Sequence, residues 1–244
     1  MDKMNRLKKL LVSWKGTQTG KNYFVGVLEK NFDEYIFKYN KSIVKEAKSE
    51  GFTPFVGLND LSKEYKSNKL FSVFERRLPN KNRNIFKMVV NEHNLNESDD
   101  LDWEYLRITK GQLATDSISF LEPVVVDSGN ISYKGEIAGW SHTRDYNRGF
   151  SINDFLNLKT NLVDNTSEEK AVELIDPQNN DARVGYISKP YNDFFFQLIL
   201  KGYQINANVV SVDQNSGRPT VEVTSKVNPE DVKECGCDYI ITYE

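Results

Sequence analysis

Across residues 163–202 the hydrophobic pattern changes its period, and that change limits the architectures open to the chain. A polar loop, 164–170, gives way to a short extended run, 171–176, followed by a turn crowded with Asn, Asp and Pro. Val184, Gly185, Tyr186 and Ile187 form a second extended run. Beyond it Phe194, Phe195, Leu198 and Ile199 recur at helical spacing, so the period passes from two to 3.6. Ser188 is placed to cap that helix, Pro190 falls in its first turn where a missing N–H costs little, and Gly202 closes it. Loop, strand, turn, strand and helix in this order predict an α+β chain.

The segments around this stretch extend the same pattern. Residues 133–140 and 155–163 predict strands, separated by a polar loop, 141–150, that carries Arg144 and Arg148. After the helix, 204–212 and 220–224 predict two more strands joined by a loop of Asn, Gly and Pro. The end of the chain is acidic and carries Cys235 and Cys237, with 239–242 able to add an edge strand. A C-x-C pair is too close for an ordinary disulfide and supplies half of a zinc site, so two reduced cysteines are expected.

The first half begins with three predicted strands, 7–14, 23–28 and 34–39, the last placing Tyr35, Phe37 and Tyr39 on one face. Helices are predicted over 41–50, 68–77, 81–93 and 101–110, with Ile85, Phe86, Val89 and Val90 inward in the third and Asp99 or Asp100 capping the fourth. Residues 117–126 predict a strand leading out, and the turn at 127–130 marks the expected boundary between a unit over 1–126 and one over 131–226, with an acidic tail over 227–244. Charge divides similarly. Residues 1–124 carry 21 basic and 17 acidic side chains, and 125–244 carry 11 and 18.

Two resemblances follow from these motifs. Residues 8–110 resemble the small N-terminal subdomain of HipA-type toxin kinases through the strand ending in Trp14, Val25-Gly26-Val27-Leu28, Phe37-Lys38-Tyr39, and Phe74 followed by Leu78-Pro79-Asn80 and Arg83. The kinase core of that family is missing, so the resemblance implies an interaction role and not phosphoryl transfer. Residues 131–226 resemble a HIRAN domain through Gly139-Trp140, the run Asn165, Glu168, Ala171 and Val172, and Val184 to Ile187 before a helix. That resemblance implies a small SH3- or OB-like β-barrel with one main helix and a role in binding DNA, notably single strands with a free 3′ end. It places His142 beside the Gly-Trp pair, Ser167 and Glu168 where members carry an aromatic and an acid, and Tyr186 and Lys189 where a ring and a phosphate contact stand. Glu168 can still accept a terminal hydroxyl, while Ser167 supplies no stacking ring.

The most basic stretch lies in the other half. Between Lys63 and Lys87 stand eight cations and two anions, and Arg76, Arg77, Lys81 and Arg83 form the core of a face able to hold phosphate or an acidic protein. No P-loop, G-x-G-x-x-G or G-x-S-x-G motif occurs, and the two histidines, His93 and His142, have no positioning motif around them. No run approaches the length of a membrane span, and the basic N-terminus lacks the apolar core of a secretory signal, which predicts a cytoplasmic protein. Richness in Lys, Asn and Ile fits a low-GC bacterial or phage coding sequence, which places mobile-element or defence biology among the expected settings. The expectation is a non-enzymatic protein without cofactor or metal that recognises single-stranded DNA, ends or forks through Arg76, Arg77, Lys81, Arg83, His142, Arg144, Glu168, Tyr186 and Lys189. The competing expectation is a regulatory factor that docks on a kinase-like toxin or another effector, which the acidic second half favours.

Overall fold

A computed structural model describes residues 8–32, 34–96, 99–114, 117–142, 149–160 and 170–243. The chain is α+β and divides into two compact units, Met1–Glu122 and Pro123–Glu244.

The first unit is built on a five-stranded antiparallel sheet. Its strands are β1 (Lys8–Lys15), β2 (Asn22–Asn31), β3 (Glu34–Tyr39), β4 (Tyr65–Ser67) and β5 (Ile118–Leu121), ordered β4-β3-β2-β1-β5. Alternation in β3 buries Tyr35, Phe37 and Tyr39 and exposes Lys38. Phe37 is fully buried, with Tyr39 at 4.8 Å, Phe74 at 5.3 Å and Phe55 at 5.8 Å between ring centroids, so one aromatic cluster joins the sheet to the segments that follow it. Helix α1 (Lys41–Ser49) starts where Asn40 Oδ1 accepts from the Ile43 N–H at 3.2 Å, and it buries Val44 and Ala47.

Between these elements the sequence expectation and the structure part company. Helix 68–77 shrinks to α2 (Ser72–Glu75) because Ser67 Oγ both donates to the Lys69 carbonyl and accepts its N–H, a side-chain turn that competes with helix. The next helix, α3 (Asn84–Glu92), starts late because Asn80 Oδ1 accepts from the Asn82 N–H and its carbonyl from the Arg83 N–H. Of its four expected inward residues only Phe86 is buried, stacked on Tyr105 of α4 (Leu101–Thr109) at 5.1 Å, while Ile85 is 57% exposed. Asp100 caps α4, accepting from the Trp103 N–H, and its other oxygen lies 2.5 Å from Lys30 Nζ.

The boundary also moves. The run 117–126 is two strands, β5 and β6 (Val124–Asp127), separated at Pro123, whose ring nitrogen has no hydrogen to offer a ladder. They belong to different units. The expected boundary at 127–130 is the turn joining β6 to β7 (Asn130–Glu136). Residues 227–244 are no separate tail. They supply α6 (Pro229–Glu234) and β13 (Ile240–Tyr243), the latter parallel to β6, and bury Val232, Tyr239, Ile240 and Ile241.

The second unit is one curled eight-stranded sheet. Adding β8 (Phe155–Thr160), β9 (Val172–Asp176), β10 (Ala182–Tyr186), β11 (Asn206–Val212) and β12 (Pro219–Lys226), its order is β10-β9-β8-β11-β12-β7-β6-β13. Just beyond β7, Ala138 bridges back to Tyr186 at the end of β10. Six strands therefore return on themselves as a small barrel. Helix α5 (Asn192–Leu200) packs on β8 and β9 and buries Phe194, Phe195 and Leu198 completely, worth about 1.5–3 kcal/mol for each side chain. Ser188 does not cap it. Its hydroxyl shares a hydrogen bond with Tyr133 OH at 3.1 Å, and the helix begins after Tyr191.

Candidate nucleic-acid interface

The site is set by the β9–β10 hairpin. Arg183 pairs with Ile175 and Gly185 with Leu174, leaving Val184 as an extra residue in a bulge. Without it, residues three apart would point to opposite faces of the strand; with it, Arg183 and Tyr186 come to the same side. The Arg183 guanidinium carbon stands 5.1 Å from the centre of the half-buried Tyr186 ring. Arg183 also reaches Glu173 at 3.3 Å.

Two glycines let the neighbouring segment approach. A Cβ on Gly185 would sit 2.4 Å from Ile137 Cγ2 and 2.5 Å from the Ala138 carbonyl oxygen. Gly139, with φ of +73°, lies against the Tyr186 ring, 3.3 Å from where its own Cβ would stand. The chain then makes a single 3-10 turn, Trp140–His142. Trp140 donates its indole N–H to the Ser216 carbonyl at 3.1 Å and meets Phe150 edge-on at 6.1 Å.

Behind this surface stands the β11–β12 connection. Asp213 Oδ1 accepts from the Asn215 and Ser216 N–H groups and from Ser216 Oγ, bonds that hold its carboxyl below the usual range and keep the loop closed. Arg218 donates through Nε and Nη2 to the Ile137 carbonyl at 2.9 and 2.7 Å, and its Nη1 pairs with Glu136 at 2.9 Å. Glu136, Ser211, Asp213, Ser216, Arg218 and Thr220 line an open polar cavity of about 430 Å³.

The arrangement offers a tyrosine and a tryptophan, both partly exposed, beside two arginines that each have a carboxylate partner. Rings of this kind stack bases, and the paired arginines leave the patch close to neutral. Of the residues expected from sequence, Tyr186 is half-buried against Gly139 with Arg183 beside its ring, His142 is exposed at the end of the Trp140 turn, and Lys189 is exposed three residues beyond Tyr186. Arg144 and Glu168 lie outside the described residues.

The four expected cations of the first unit do not form one surface. Arg76 and Arg83 are exposed, and Lys81 pairs with Asp102 at 2.9 Å. Arg77 is 3% exposed, carried inward by the same short turn that buries Val73 and Phe74, and is no surface contact. Arg183 and Arg218 were not among the expected residues. The glycine two places after Arg183 is a local sign of a bulge, whereas Arg218 has no local sign, because the carbonyl it holds lies 81 residues away.

No family model matches the chain, and no curated protein matches it. Among solved structures it is similar to the HIRAN domain of human HLTF, with 19% identity over 44% of this chain and 87% of that one and a TM-score of 0.36. It is also similar to a protein from Lactobacillus plantarum, with 16% identity over 41% of this chain and all of that one and a TM-score of 0.32. No helix among the described residues is long and apolar enough to cross a membrane.

Proposed function

We propose that the second unit binds single-stranded DNA, at ends or forks, across the Tyr186–Trp140 face, and that the chain is a binding module with no catalytic activity of its own. One observation carries this reading: Tyr186 lies against Gly139 with Arg183 beside its ring, and Trp140 follows directly on the same segment. Every base has a face that can stack on such rings, which gives tolerance of sequence. The sequence resemblance of residues 131–226 to HIRAN domains supports the same ligand. The excess of acidic side chains over 125–244 sets the manner of binding: stacking supplies most of the affinity and few phosphates are neutralised. A second reading, docking on an effector protein such as a kinase-like toxin, has that acidic excess in its favour.

Fluorescence anisotropy with labelled single-stranded, duplex and forked DNA at two salt concentrations separates the two. The proposal expects single strands and forks to bind more tightly than blunt duplex and to lose little affinity with salt. Absence of binding at the lower salt sinks it and leaves the docking reading.

A further inference from the structure

Trp140 stands on a single 3-10 turn, not on a strand or a longer helix. Its ring is held by the β11–β12 connection, 76 residues away in sequence. The Ser216 carbonyl accepts the indole N–H at 3.1 Å, and a Cβ on Gly217 would stand 4.0 Å from Cζ2, on the same edge of the ring. Those two contacts follow from the shape of the connection, and Asp213 sets that shape. Its Oδ1 accepts from the Ser216 N–H at 2.7 Å, from Ser216 Oγ at 2.7 Å and from the Asn215 N–H at 3.2 Å. Its backbone accepts from the Gly217 N–H at 2.8 Å and donates to the Arg218 carbonyl at 2.9 Å. One side-chain oxygen thus holds the residue whose carbonyl holds the indole.

We propose, on the reading of Trp140 as a base-stacking ring, that Asp213 is its positioning residue: it fixes the loop that orients the indole and so raises single-strand affinity without touching DNA. A ring already held in its bound orientation loses less freedom when a base stacks on it, which is worth about two- to tenfold in affinity for one side chain. The sign of the effect separates this role from a direct one. A carboxylate near a DNA strand repels phosphates, so deleting its charge alone tightens binding, whereas loss of positioning weakens it.

The test uses the full chain, isotope-labelled for indole N–H spectra, and a labelled single-stranded oligonucleotide for anisotropy. Trp140→Ala identifies the Trp140 indole resonance by its disappearance, and Trp14 and Trp103, buried in the first unit, supply two reference resonances. In Asp213→Ala the Trp140 resonance is expected to move and to exchange faster with solvent, the references to stay, and affinity to fall about two- to tenfold. Asp213→Asn keeps an oxygen acceptor and is expected to restore the parent resonance and at least the parent affinity. In a Trp140→Ala background, Asp213→Ala is expected to change affinity by less than about twofold, whereas general damage to the unit lowers affinity in both backgrounds. An unmoved Trp140 resonance in Asp213→Ala, tighter binding by that variant, an equal loss in the two backgrounds, or Asp213→Asn behaving as Asp213→Ala overturns the proposal. If the parent binds no single-stranded DNA, or Trp140→Ala binds as the parent does, the reading of Trp140 as a stacking ring fails. The proposed gain in affinity is overturned with it, while a moved resonance in Asp213→Ala still shows that Asp213 holds the ring.

Discussion

Ala138 and Tyr186 exchange both backbone hydrogen bonds: the Ala138 N–H donates to the Tyr186 carbonyl at 2.9 Å, and the Tyr186 N–H donates to the Ala138 carbonyl at 3.0 Å. This single pair joins the first strand of the curled sheet to the segment leaving β7, so closure of the barrel and placement of the Tyr186 ring are one event. Whatever separates the two backbones also takes the Tyr186 ring away from Gly139, the residue before Trp140.

Gly185→Ala is the most direct probe of that closure. The new methyl would meet Ile137 and the Ala138 carbonyl at distances no real contact shows, so the strands must part. The expected loss is about 1–3 kcal/mol in urea denaturation, with faster amide exchange at Ala138 and Tyr186. Gly149→Ala, where nothing stands within 4 Å, is the control, and its change should stay within about 0.5 kcal/mol.

Tyr186→Ala and Trp140→Ala should each weaken single-stranded DNA by about 1–3 kcal/mol, while Tyr186→Phe, which keeps the ring, stays near the parent. Arg183→Ala should cost less than either, because its charge is already shared with Glu173. The salt dependence of the parent should correspond to about one or two phosphates, a slope of log K against log salt near −0.7 for each. Anisotropy titrations with labelled DNA at several salt concentrations report both quantities. Unaltered affinity in both ring variants removes the site from this face.

Arg76 and Arg77 are neighbours in sequence with opposite environments. Arg77→Ala empties a buried site and should cost about 2 kcal/mol or more, through lost packing as well as lost charge. Arg76→Ala, at an exposed position, should change stability by less than about 0.5 kcal/mol. Chemical denaturation of the two variants side by side checks this, and equal losses would contradict the burial of Arg77.

Alkaline pH should loosen the fold through its tyrosines. Burial pushes the Tyr39 hydroxyl up to about 12, although the Phe55 N–H that it accepts pulls the other way, and burial also holds Tyr133 and Tyr239 above the ordinary tyrosine range. The folded chain thus keeps these protons more tightly than the unfolded chain does. The Tyr39 contribution is fully present below about pH 10 and is lost as pH rises through about 12, and those of Tyr133 and Tyr239 are lost at higher pH. Denaturation midpoints should fall most steeply above about pH 10, in step with tyrosinate absorbance. Tyr39→Phe should reduce that fall, and should cost about 1–3 kcal/mol at neutral pH because the buried Phe55 N–H loses its acceptor.

The sequence by itself determined the elements whose cause is local. Alternation in β3, a cap at Asp99 or Asp100, the two-strand hairpin of β9 and β10 and the apolar face of α5 follow from period, capping chemistry and turn residues only a few positions apart. The Val-Gly-Tyr-Ile run that carries Tyr186 was legible as a strand for the same reason. Only the tertiary structure decided that Arg77 is buried while Arg76 beside it is exposed, that Ile85 faces solvent at a position whose spacing predicts core, and that Ile240–Tyr243 complete a sheet. It alone brought Arg183 beside Tyr186 and Arg218 onto the Ile137 carbonyl. Those outcomes depend on a bulge that inverts side-chain direction and on a bridge between residues 48 positions apart, Ala138 and Tyr186. Periodicity records which residues share a face of one element; it carries no term for which element comes to cover that face.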